Sequence, residues 1–203
     1  VETEAVPYNL NARGQADPYW TTDEIDDVEL HARVKRALNA SDTDADRVIE
    51  VYRKGRPKSS DMDLWMIIAS DHSPLRTSEY TIAERKAALG KAPVYMYYFD
   101  WYSPVRQGKV RAMHGVELPF VFDHVDEVKF MVGTGKDRYA LADRMSAAWV
   151  AFARSGNPNH KGLPKWQPFT AGERATMIFN NECRAVNDPY REERLALAAV
   201  RTA

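Results

Sequence analysis

The chain alternates apolar and polar positions in two different ways. Up to about residue 90 the apolar residues recur near helical spacing. Val28, Val34 and Leu38 mark a first helix beginning near Asp23, with Arg and Lys late in the segment, where they favour the negative end of the dipole. "SDTDADRVIEVYRKGRP" repeats the pattern, with Ser41 or Thr43 as cap, acids in the first turn, and Gly55 and Pro57 as a stop. "SSDMDLWMIIAS" predicts a third helix capped by Ser59 or Ser60. "LRTSEYTIAERKAALG" predicts a fourth, closed by Gly90. Residues 5–22, rich in Pro, Asn and Gly, read as loop.

At residue 93 the pattern changes. "PVYMYYFDWY" is almost continuously apolar and aromatic and does not alternate as a half-wet strand would. Such a run predicts a strand of a parallel sheet, buried on both faces. Its carboxyl end, at Asp100, Trp101 and Tyr102, is where open α/β sheets form their ligand crevice. Beyond it, "RAMHGVELPFVF" places His114 on a loop ahead of a short helix expected over 115–122. Leu141, Met145, Ala148, Trp149 and Phe152 form one stripe of a long helix that Gly156 and Pro158 end. "ATMIFNNECRAV" reads as a hairpin turning at Asn180-Asn181. "DPYREERLALAAV" reads as a last helix with Asp188 as N-cap and Pro189 at N1. One strand cannot make a sheet. The remaining sheet is therefore expected upstream of Val1, in keeping with a chain that starts without Met and reads as a processed or cut segment.

Composition narrows the function. With 28 basic and 29 acidic residues there is no basic stripe, and nucleic acid is not an expected partner. No apolar run approaches the ~20 residues of a membrane helix. The single cysteine, Cys183, excludes an internal disulfide and does not assign a compartment. Localisation is left open, between cytoplasmic and secreted.

His114 has two readings. It is a histidine satisfied by a backbone carbonyl, or its imidazole turns into the crevice as a general base near neutral pH. Glu117, three residues on, reads as a structural cap in the first turn of the short helix. A metal site is not expected. His114, Glu117, Asp123 and His124 cluster in sequence, and Asp71-His72 form another pair, but the spacing matches no metal motif. No G-x-S-x-G elbow occurs among the serines, so a Ser-His-acid hydrolase on this framework has its nucleophile upstream.

The motifs themselves resemble a known family. "HGVELPFVF" is similar to the histidine segment of the type-B carboxylesterases, the group of cholinesterases and bacterial para-nitrobenzyl esterases. "PVYMYYFDW" resembles the strand leading to that histidine, and "MSAAWVAFARSGNPN" the family's W-x-x-F-A-R-x-G-N-P-N helix and turn. "PKWQPF" resembles its Trp-Pro segment, with Gln167 inserted, and "ATMIFNNECRAVNDPYREER" its closing hairpin and helix.

The resemblance implies the C-terminal portion of an α/β-hydrolase domain. Residues 1–22 would be a loop after the triad acid, 23–90 a helical segment, and 91–203 the strand, histidine loop and closing helices. It also implies ester hydrolysis by a Ser-Glu-His triad with no cofactor. His114 matches the base and Glu4 the acid, with Glu2 as competitor, while the serine lies outside this chain. The expected partners are a small-molecule ester and the upstream portion of the same protein. The chain alone is expected to be inactive. Trp101 and Tyr102 either line an apolar substrate pocket or pack in the core. Two alternatives stand beside the esterase: a non-catalytic binding or adhesion module that has lost the nucleophile, and, more distantly, a metallohydrolase.

Overall fold

The structure is a computed structural model that describes residues 24–201. Glu2 and Glu4 lie outside the described residues. The chain divides into two compact units, one built from residues 79–189 and one from residues up to 78 together with 190 onward.

The second of these is helical. It contains α1 (Asp27–Leu38), α2 (Asp42–Gly55), α3 (Asp61–His72) and α8 (Arg191–Arg201). The caps form as the sequence predicts. Ser41 accepts from the Asp44 N–H, and Ser60 forms a reciprocal capping box with Asp63. α1 is capped by Asp26, a little later than expected. α3 is apolar almost all round, and Met62, Leu64, Trp65, Met66, Ile67 and Ile68 are all buried. α2 meets α8 where Gly55 offers no side chain. Both Arg56 and Glu193 are buried there, with 8% and 4% of their side chains exposed, and pair at 3.0 Å. The start of α8 differs from expectation. Asp188 does not cap it, because its carboxylate pairs with Arg174 at 3.2 Å and its φ is +44°. With Tyr190 also at positive φ, the helix cannot begin before Arg191.

The other unit holds the sheet. β1 (Met96–Phe99) pairs in parallel with β2 (Ala175–Phe179), and β2 pairs antiparallel with β3 (Arg184–Asn187). The hairpin was expected, but its first strand also gives β1 a parallel neighbour that the sequence reading placed entirely upstream. β1 remains an edge strand among the described residues, since the order is β1-β2-β3. The apolar run is buried towards its carboxyl end, at Tyr98, Phe99 and Trp101, and half-buried from Val94 to Tyr97. Tyr95, Tyr97, Phe99 and Trp101 pack with period two against one core, while Tyr98, Thr176 and Ile178 on the opposite face are buried as well.

That core is closed by α7 (Asp137–Ser155), through Leu141, Ala142, Met145 and Ala148, and by α5 (Leu118–Val121), through Phe120 and Val121. Trp149 joins it partly buried, and Phe152, the last of the predicted stripe, is exposed. α7 ends at Gly156 in the left-handed region, φ +72°, as the sequence predicts. α4 (Pro74–Leu89) ends likewise before Gly90. The loop after α7 is stitched by asparagines. Asn157 Oδ1 accepts from the Asn159 N–H at 3.0 Å, and the Asn159 amide bonds both backbone groups of Trp166. A short α6 (Lys129–Val132) completes the unit.

Candidate active site

The parallel strands β1 and β2 end side by side, and their carboxyl ends are tied together. The Asp100 N–H donates to the Phe179 carbonyl at 3.2 Å, and the Asn180 amide donates to both the carbonyl and the carboxylate of Asp100. Cys183, in the same hairpin turn, donates its thiol to the Asn180 carbonyl, and burial pushes that thiol above its ordinary range. Sequence reasoning passed over the Asp100–Asn180 tie, since the two residues are far apart in the chain and neither motif flags the other.

From this edge the chain leaves β1, makes one turn (Val105–Gly108) with Arg106 and Gln107 in the left-handed region, and returns to His114. Trp101, at the start of the excursion, is only 3% exposed. Its ring packs against Phe120 with centroids 5.0 Å apart, and its N–H donates to Asp137 at 3.0 Å. It sits in the core, the packing role weighed against a pocket role. Tyr102, next to it, is 42% exposed.

His114 occupies a turn held from both sides. Ala112 and Val116 are fully buried in the core cluster, whereas the His114 side chain is exposed. The turn is fastened by the Val116 N–H on the Met113 carbonyl at 3.1 Å and the Leu118 N–H on the Gly115 carbonyl at 3.2 Å. Gly115 has φ +78°, a conformation that favours glycine, and this lets the chain reverse directly after the histidine. The backbone of the turn is thus fixed by two buried anchors while the His114 side chain stays accessible.

The short helix is smaller than expected, covering Leu118–Val121, and Glu117 stands at its N-cap without a side-chain capping bond. One Glu117 carboxylate oxygen is buried with no hydrogen-bond partner among the described residues. Asp123 is exposed at positive φ, and the His124 ring lies beside Phe122. Asp71 accepts the Tyr52 hydroxyl at 2.9 Å, in the helical unit. Among the described residues no group of three His, Cys, Asp or Glu side chains is placed to hold a metal ion. No helix among them is long and apolar enough to cross a membrane.

The chain matches the model of the carboxylesterase family over residues 7–198. Phenmedipham hydrolase of Pseudarthrobacter oxydans is 32% identical over 124 residues, which cover 58% of this chain and 25% of that protein. Para-nitrobenzyl esterase of Bacillus subtilis is 30% identical over 155 residues, 75% of this chain and 29% of that one. A solved carboxylesterase of Geobacillus stearothermophilus superposes with a TM-score of 0.68 at 33% identity, covering 89% of this chain and 36% of its own. The fold of these neighbours is the α/β-hydrolase fold, and the helices and partial sheet described above are part of one. The chain spans between 25% and 36% of the lengths of these three relatives.

Proposed function

The chain belongs to the carboxylesterase family, and from that premise we propose that it is the base-bearing, C-terminal portion of a serine hydrolase that cleaves carboxylic esters. One observation carries the reading: His114 presents an exposed side chain on a turn that the core clamps at Ala112 and Val116, in the loop that follows the carboxyl end of a parallel strand. Para-nitrobenzyl esterase, whose name states an esterase activity, supports the reaction class.

In the proposed reaction a serine outside this chain attacks the ester carbonyl. His114 takes the serine proton as the new C–O bond forms, and hands it to the departing alcohol oxygen as the old C–O bond breaks. Water then enters by the same route in reverse order and releases the acid. Glu4 accepts from the far ring N–H of His114, fixes its tautomer and stabilises the imidazolium. No metal or cofactor takes part. This chain alone, lacking an elbow serine, would hydrolyse nothing and would need the upstream portion of the protein as its partner.

A fluorophosphonate trap tests this reading. The full-length protein should be labelled on one serine outside residues 1–203, with p-nitrophenyl butyrate hydrolysis lost in proportion to labelling. Absence of both labelling and hydrolysis would instead support a binding module that has lost its nucleophile. Hydrolysis persisting in the fully labelled protein would point to a different active site.

A further inference from the structure

Three residues before His114 the chain closes a loop. Residues 103–111 leave the end of β1 and come back, and the closure is a backbone hydrogen bond from the Ser103 N–H to the Arg111 carbonyl at 3.1 Å. Ser103 is fully buried. Its hydroxyl donates to the Met131 carbonyl at 2.6 Å and accepts the Val105 N–H at 3.2 Å. One small side chain thus joins the outgoing strand of the loop to the segment around α6, while its backbone holds the returning strand.

The same joint is tight beside the hydroxyl. A Cβ built on Gly133 would lie 2.6 Å from Cγ of Pro104, so the neighbours of Met131 and Ser103 meet with no room to spare. The loop itself does not favour closure. Arg106, Gln107 and Arg111 have φ of +51°, +62° and +52°, which side-chain-bearing residues rarely adopt and which persist only where the surroundings over-determine them. Ser103 is such a determinant: its buried hydroxyl holds it to the Met131 carbonyl, and its backbone N–H holds the carbonyl of Arg111, from which the chain runs through fully buried Ala112 and then Met113 to His114.

We propose that Ser103 is a positioning residue for His114: by closing the 103–111 loop and pinning it to the Met131 carbonyl, it sets the height at which the imidazole is presented to the ester. This rests on the reading of His114 as the base. The hydroxyl acts by fixing Ser103 itself, whose backbone N–H then holds the Arg111 carbonyl, and it takes no proton in the reaction.

The test compares Ser103→Ala, Ser103→Thr, Ser103→Cys and Gly133→Ala in the full-length protein, with p-nitrophenyl butyrate as substrate. A small displacement of a catalytic group lowers the chemical step, so Ser103→Ala should reduce kcat at least ~10-fold with KM within about twofold of wild type. Ser103→Thr, which keeps the hydroxyl, should recover most of the loss. Gly133→Ala attacks the joint from the opposite side, through the Pro104 contact and through the strain of alanine at φ +70°, keeps every hydroxyl, and should show the same split between kcat and KM; Ser103→Cys, which keeps the size and weakens the hydrogen bonds, decides the matter if Ser103→Ala does not accumulate as folded protein. A folded Ser103→Ala with kcat within about twofold of wild type, or variants whose kcat and KM change together, would overturn the proposal. His114→Asn measured alongside separates the two readings. If it is inactive while Ser103→Ala behaves as wild type, only the role of Ser103 falls. If it is active, the assignment of the base falls first.

Discussion

The Asn180 side-chain amide donates twice to Asp100, to its carbonyl at 3.0 Å and to its carboxylate at 2.7 Å. A single side chain thereby fastens the carboxyl ends of β1 and β2, the edge from which the His114 loop departs. Asn180→Ala removes both bonds and should lower unfolding stability by about 1–3 kcal/mol, measured by urea denaturation. Asn180→Asp, which sets a second carboxylate against Asp100, should cost more than alanine at pH 7 and less at pH 3. Equal midpoints for the two variants at pH 7 would contradict this account of the tie.

Gly55 ends α2, where alanine would ordinarily improve the helix. Here a Cβ would stand 2.6 Å from Oε1 of Glu193, an oxygen already held by buried Arg56. Moving Glu193 aside breaks a buried pair. Gly55→Ala should therefore destabilise, by about 1–3 kcal/mol, against its helix propensity. A midpoint equal to or above wild type in thermal unfolding would show that Glu193 yields freely.

Hydrogen bonds from Tyr139 and Arg138 hold the Asp126 carboxyl below its usual range. A carboxylate whose folded pKa is lowered contributes stability that is present above its unfolded value, about 4, and is lost as pH falls through the folded value. Asp126→Asn should be less stable than wild type at pH 7, and the gap should narrow as pH drops below about 4. Urea midpoints taken at both ends of that range check the sign; a gap that widens in acid would be wrong for this group.

Local signals were legible in the sequence. The Ser41 and Ser60 caps, the glycine stops at 90 and 156 and the Asn180-Asn181 hairpin all depend on a few neighbouring residues, and all form. What sequence left hidden depends on partners far along the chain. Asp188-Pro189 carries the local signature of a helix start, but Arg174 takes the Asp188 carboxylate and the helix begins at Arg191. "ATMIF" reads as a hairpin arm, and nothing in it announces the parallel pairing of Met177 with Tyr97. In the candidate site His114 stood out through its loop and its motif. Ser103 did not, because a buried serine whose partners are backbone atoms leaves no pattern in the sequence.

Glu4 is proposed to orient the imidazole, so Glu4→Gln should keep the fold and lose turnover. The loss in kcat for an aryl ester should reach about 10³–10⁴-fold, as expected when the wrong tautomer is favoured. Thermal unfolding should be unchanged. If Glu2→Gln gives the large loss and Glu4→Gln does not, the acid is the neighbour two residues earlier.

The most direct measurement is the hydrolysis of p-nitrophenyl butyrate by the full-length protein carrying His114→Ala. Its turn is held by Ala112 and Val116, so the variant should fold with a thermal midpoint close to wild type. Loss of the base should lower kcat/KM by several powers of ten, on the order of 10⁴–10⁶-fold. A folded variant retaining a tenth of wild-type kcat/KM would contradict the assignment of His114 as the catalytic base.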